Sequence, residues 1–210
     1  MITHEIYLRL EQCFGHAPTT EQESAMRVFT EFLVCRNPHS MMLMRGSAGT
    51  GKSSLAGAFV RAMALLGQKT VLMAPTGRAA KVFSLNSGGH AAFTIHRKIY
   101  RLRAFAGVGG EYNLNDNLHT DTLFMVDEAS MVANGGGVEA GFGSGRLLDD
   151  IVRYVYSGRN CRLVLIGDQA QLPPVGEELS PALDTQFMEG YGMEVFACNL
   201  NEVVRQQSQS

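Results

Sequence analysis

No stretch of 18 consecutive apolar residues occurs in this 210-residue chain, so no segment reads as a membrane-spanning helix. The first residues, Met1-Ile2-Thr3-His4-Glu5, lack the basic-then-apolar order of a secretory signal, and a cytoplasmic location is expected. Four cysteines (Cys13, Cys35, Cys161, Cys198) are scattered without a CxxC spacing. That pattern argues for reduced, buried thiols in a cytosolic protein rather than a disulfide frame or a zinc site. Acid is missing from a long stretch: between Phe32 and Gly110 there is no Asp or Glu, while eleven Lys and Arg fall there. The rest of the chain carries all 20 acids and seven cations, so a net charge of −2 conceals parts of +11 and −13. Such a segment suits contact with the phosphates of a nucleotide or a nucleic acid; the plainer alternative is a basic surface balanced by acidic neighbours.

What is present is an alternation of short apolar strands with helical patterns, which predicts a parallel α/β sheet, and 45% apolar content suffices for one well-buried domain. Thr20 with Glu23 reads as a capping box ahead of a helical face of Ala25, Val28, Phe29, Phe32 and Leu33. Strands are expected at 41–44, 70–74, 122–126, 162–166 and 195–200. Helices are expected at 53–66 with Gly67 as the C′ residue, at 78–83, at 94–102 and at 147–156. Residues 103–121 read as a hairpin or loop excursion. Residues 134–145, with six glycines, read as a mobile surface loop, and 207–210 as a frayed tail.

Gly46-Ser47-Ala48-Gly49-Thr50-Gly51-Lys52-Ser53 satisfies GxxxxGK[ST] between a predicted strand and a predicted helix, with Ser54 next in the helix. Glycines let backbone N–H groups turn inward around phosphates, and the helix N-terminus adds partial positive charge. Lys52 would reach the outer phosphates of ATP and Ser53 would bind Mg²⁺. Asp127-Glu128 follows the strand Leu123-Phe124-Met125-Val126, so both carboxylates emerge at the carboxyl edge, where open α/β sheets bind ligands. Asp127 is placed to hold magnesium and Glu128 to deprotonate a water, a pairing that favours hydrolysis over transfer to a small molecule. Gly167-Asp168-Gln169-Ala170-Gln171-Leu172-Pro173-Pro174-Val175-Gly176 follows another strand. An amide there can bond a γ-phosphate and lose that bond on hydrolysis, which makes Gln171 a candidate sensor of nucleotide state.

Taken in order, these segments resemble superfamily 1 DNA helicases of the RecD-like branch, which are 5′→3′ motors with a RecA-like P-loop fold. Pro18-Thr19-Thr20-Glu21-Gln22 resembles the Q motif, which implies that Gln22 reads adenine. Ala74-Pro75-Thr76-Gly77-Arg78-Ala79-Ala80-Lys81 resembles motif Ia and Thr94-Ile95-His96-Arg97 motif Ib, which implies single-stranded DNA at Pro75, Thr76, Arg78, Thr94, His96 and Arg97. Val126-Asp127-Glu128-Ala129-Ser130-Met131 is similar to motif II and Gly167–Gly176 to motif III. Leu200-Asn201-Glu202-Val203-Val204-Arg205-Gln206 resembles motif IV, which implies that Arg205 contacts the γ-phosphate in the transition state. The excursion at 103–121 resembles the strand-separating hairpin that follows motif Ib. Phe83, Phe93 and Tyr100 could stack on bases, though aromatics at helical spacing are more often core. The resemblance implies one motor domain over 1–206, monomeric when isolated, whose partner is a second RecA-like lobe not found in these residues. The chain is then either a fragment of a longer protein or a degenerate single-lobe protein, and the polar stretch after Arg205 favours a fragment. Three alternatives stay open: a P-loop ATPase of another class, a P-loop kinase or guanine-nucleotide switch, and a non-catalytic nucleotide- or DNA-binding module.

Overall fold

A computed structural model describes residues 2–105, 108–135 and 141–204, with the backbone alone for 103–105 and 108–111. Helix α1 (Ile2–Phe14) and helix α2 (Thr20–Val34) precede the first strand, β1 (Ser40–Gly46). The chain continues through α3 (Lys52–Leu65), β2 (Lys69–Ala74), α4 (Gly77–Asn86), β3 (Ala92–Thr94) and the short α5 (Ile95–Ile99). Strands β4 (Tyr100–Phe105) and β5 (Val108–Leu114) follow, then β6 (Thr122–Val126), α6 (Leu147–Ser157), β7 (Arg162–Gly167), α7 (Thr185–Glu189) and β8 (Glu194–Leu200).

Six strands form one parallel sheet in the order β3-β2-β6-β7-β1-β8. The expected α/β class with a small insertion is thus what the chain adopts, the insertion being the antiparallel pair β4–β5. Each central strand is buried on both sides, which is why β1 and β6 read as unbroken apolar runs. Alternation then divides the core: Met42 and Met44 face one layer with Phe29, Phe32 and Phe59, while Met41 and Leu43 face the other with Ile151, Val155 and Leu183. Phe29 and Phe59 stack at 4.0 Å between ring centroids, joining α2 to α3. Cys161 and Cys198 are buried as expected; Cys13 and Cys35 are only half-buried because they lie toward the ends of α1 and α2.

Two local expectations need correction. The capping box is one residue earlier than expected: Thr19 is the N-cap and Gln22 the N3 partner, so Gln22 does the work assigned to Glu23. The helix expected over 94–102 stops at Ile99, and Tyr100 turns extended to start β4, which pairs with β5. The glycine-rich segment is anchored wherever it is described. Asn134 and Gly135 donate their backbone N–H groups to Glu177, and Gly141 and Gly143 exchange backbone hydrogen bonds with Tyr112. Phe142 stacks on Tyr112 at 4.5 Å. Polar tethers and one aromatic anchor thus hold the ends of a segment whose composition suggested motion. Residues 136–140, Arg205 and the tail 207–210 lie outside the described residues.

Candidate active site

The sheet brings four of the expected segments to one carboxyl edge, because β1, β2, β6 and β7 run parallel and each ends where a motif begins. The glycine loop leaves β1 at Gly46 and enters α3 at Lys52. Gly46 has no room for a side chain: a Cβ there would lie 2.7 Å from the Leu200 carbonyl oxygen. Gly51 adopts φ +86°, and a Cβ would also strike the Gln22 amide, so this position demands glycine twice over. As N-cap of α3, Gly51 offers no side-chain cap, which leaves the leading N–H groups of a 14-residue helix as donors. Lys52 folds back, its Nζ donating to the carbonyls of Gly46 (2.6 Å) and Ser47 (2.7 Å). An ammonium poised over a ring of inward-facing backbone, with free helix donors behind it, fits a polyphosphate. Ser53 and Ser54 are exposed in the first turn of α3.

Gln22 is buried and bridges its own helix start to this loop. Its Oε1 accepts from the Thr19 N–H at 3.0 Å and its Nε2 donates to the Thr50 carbonyl at 3.1 Å. Neighbouring Glu21 reaches the far end of the chain, accepting from the N–H groups of Asn201 and Glu202 and from the Asn201 amide. Those bonds hold the Glu21 carboxyl below its ordinary range. Val204 N–H donates to the Gly49 carbonyl at 2.9 Å, so the segment after β8 lies across the glycine loop. The resemblance singled out Gln22 and Arg205 in these two segments; Glu21, which ties them together, was missed. A carboxylate among other surface acids gives no sequence signal for that role.

Asp127 is 8% exposed at the end of β6, and Glu128 beside it takes a left-handed φ of +55°. That backbone is uncommon outside glycine and costs about 1–2 kcal/mol. Burial pushes the Asp127 carboxyl up to about 6; the Glu128 N–H donating to it (2.9 Å) lowers it, the Glu128 charge raises it and Lys52 lowers it. Gln171 joins this pair from the loop after β7. Its Oε1 accepts from Ser130 Oγ at 3.1 Å and its Nε2 approaches Glu128 Oε2 at 3.5 Å, the outer limit of a hydrogen bond. Ser130 is therefore a site residue that sequence reasoning quoted but did not select. A magnesium ion bound through few protein oxygens, with water and phosphate as the rest of its shell, suits the Ser53 and Asp127 donors.

A second groove, about 500 Å³, runs along α4, β3 and α5, lined by Gly77, Lys81, Ser84, Phe93, Thr94 and Arg97 among others. Ala74 pairs with Thr94, so the segments expected to touch DNA emerge side by side. Thr76 and Thr94 use their hydroxyls to cap α4 and α5, accepting from the N–H groups of Ala79 (3.2 Å) and Arg97 (3.4 Å). Pro75, Thr76 and Arg78 sit at the approach to α4, outside the groove lining, with Thr76 and Arg78 exposed. His96 lies against the rings of Tyr100 and Phe142, at 5.6 and 5.0 Å between centroids. The basic stretch is partly structural: Arg45 serves the Leu183 carbonyl, and Arg61 those of Asn86 and Cys13. Phe83 and Tyr100 are core residues, and Phe93 alone of the three aromatics lines the groove.

A family model described as an AAA domain matches residues 18–210. The ATP-dependent RecD2 DNA helicase of Deinococcus radiodurans is 32% identical over 137 residues, covering 65% of this chain and 16% of that protein. The ATP-dependent DNA helicase PIF7 of Trypanosoma brucei brucei is 31% identical over 175 residues, covering 74% and 15%. Among solved structures, Pif1 helicase from Candida albicans aligns with TM-score 0.54 at 22% identity, covering 92% of this chain and 42% of that one. Pif1 helicase from Bacteroides, in complex with ADP-AlF3 and ssDNA, aligns with TM-score 0.51 at 17% identity, covering 92% and 44%. The chain thus spans about a sixth of these two curated relatives and under half of the two solved chains. The chain belongs to the AAA domain family, it is similar over part of its length to the RecD2 and PIF7 helicases, and its fold is the one found in Pif1 helicases.

Proposed function

We propose that this chain is the ATP-binding and ATP-hydrolysing half of a DNA motor that moves 5′→3′ on a single strand, completed by a second lobe. The observation that carries the reading is Gln171. It reaches from the loop after β7 to Ser130 and Glu128, on the same sheet edge as the glycine loop and the strand ends that lead into α4 and α5. ATP with magnesium supplies the phosphoanhydride whose cleavage drives movement. In this reading Lys52 leaves the carbonyls of Gly46 and Ser47 to hold the outer phosphates, while the backbone of Gly46–Ser53 cradles them and Ser54 extends the first turn. Ser53 and Asp127 hold magnesium. Glu128 accepts the proton of the attacking water, and Gln171 keeps Glu128 oriented and registers the nucleotide's state. Gln22 meets the base, and Arg205, outside the described residues, supplies charge in the transition state. Pro75, Thr76, Arg78, Thr94, His96 and Arg97 form the single-strand face.

The test is a fluorescent-nucleotide titration of the chain and of Lys52→Ala. Removing the ammonium should weaken magnesium–ATP binding by about tenfold or more, since a charge-assisted contact contributes about 1.5–3 kcal/mol. Equal affinities would overturn the reading. Hydrolysis by this chain alone should be slow, because closure of two lobes completes such sites.

A further inference from the structure

The α4–α5 groove does not end at Arg97. A second cavity of about 420 Å³ opens on the other side of the same two residues, since Phe93 and Arg97 line both. Its walls are Lys98, the 115–119 segment and Tyr154. Those walls are braced. Asn115 N–H donates to the Ile99 carbonyl, the Asn117 amide donates to the carbonyls of Tyr154 and Val155, and His119 N–H donates to Asn117. Its only carboxylate, Asp116, is engaged by Arg101 at 3.1 Å. Lys98 has its Nζ 5.2 Å from the centre of the Phe93 ring, and no carboxylate among the described residues pairs with it. The field here is positive: burial first, then the charges of Lys98 and Lys69, hold the His119 imidazole below its ordinary pKa. Leu118, 89% exposed, adds an apolar surface at the rim.

A cation beside a half-buried ring and an apolar rim, in a braced cleft that shares two residues with a basic groove, is the combination that holds a nucleotide of a single strand. The base takes the apolar faces and the phosphate takes the charge. We propose that this second cavity extends the single-strand track by one nucleotide beyond the Thr94–Arg97 groove, with the base against Phe93 and Leu118 and the phosphate between Arg97 and Lys98. The inference rests on the DNA reading above and adds a subsite to it.

The probe is a ladder of end-labelled oligothymidylates, from about 4 to about 16 nucleotides, titrated by fluorescence anisotropy at several salt concentrations. Wild type should gain affinity with length until the track is filled. Phe93→Leu, which keeps apolar bulk but removes the ring face, should bind strands of every length roughly 5- to 50-fold more weakly, since Phe93 lines both cavities. Lys98→Gln, at a residue of the second cavity alone, should reach its plateau about one nucleotide sooner and leave the shortest strands unaffected. It should also lower the salt slope by about 1. Circular dichroism confirms that both variants fold. If Lys98→Gln matches wild type in plateau length and salt slope while Arg97→Ala weakens every length, the subsite is refuted and the DNA reading stands. If wild type itself binds no strand of any length, both fall.

Discussion

Asp127 shows how much a single residue's surroundings decide. Its carboxyl is raised from 3.8 to about 6 chiefly by burial, so in the metal-free chain the folded state holds the proton more tightly than the unfolded state does. The cost of ionising it in place is absent below pH 4 and is incurred as pH rises from about 4 through 6. At neutral pH it is at most about 3 kcal/mol. Asp127→Asn, melted with chelator present and no nucleotide, should therefore be more stable than wild type at pH 7, and the difference should vanish near pH 4. A variant that melts lower than wild type at pH 7 would contradict this. The sequence made Asp127 and Glu128 legible as a pair because they close an apolar strand. It could not show the left-handed backbone at Glu128, nor that Gln171 and Ser130 meet there, since those contacts join residues 41 positions apart.

Among the elements, α3 and α4 meet at Gly57. A Cβ on Gly57 would press into the Asn86 carbonyl oxygen and sit 3.0 Å from Arg61 Nη1, which donates to that same oxygen at 2.8 Å. Two effects compete in Gly57→Ala. Helix propensity favours alanine by about 1 kcal/mol, whereas forcing bulk into a closed contact costs about 1–3 kcal/mol and the strained hydrogen bond about 1 more. Steric cost wins, and urea melts should show a net loss of about 1–3 kcal/mol. Strand positions were the most legible part of the fold: 122–126 was expected as observed, because continuous apolar runs bounded by turns leave little choice. The helix expected over 94–102 failed for a reason outside local pattern. Its residues are compatible with helix, but Tyr100 onward is claimed by pairing with β5, and such non-local pairing overrides propensity. Helix α1 went unread because its amphipathic face packs on α3, about fifty residues away.

At the scale of the whole molecule, the start of α2 and the segment after β8 meet beside the nucleotide loop. Glu21, in the first turn of α2, holds Asn201 and Glu202, and Val204 holds Gly49. Glu21→Ala should speed amide hydrogen exchange at Asn201 and Glu202 and weaken nucleotide binding a few-fold, without moving the melting of the sheet. Unchanged exchange at both amides would rule the tie out. Motif order along the sequence foretold which segments share the sheet edge, since parallel strands deliver their ends to one side. It did not foretell that residues 180 positions apart would be knotted together over the loop. The consequence concerns force. Any polypeptide continuing past Val204 departs from a point fastened directly to the Gly49 carbonyl. A pull on that polypeptide is felt first by the glycine loop rather than by the core. Conversely, a loop that reshapes as Lys52 lets go of Gly46 and Ser47 would tug on the departing strand. The domain's tow-point and its trigger are the same few atoms.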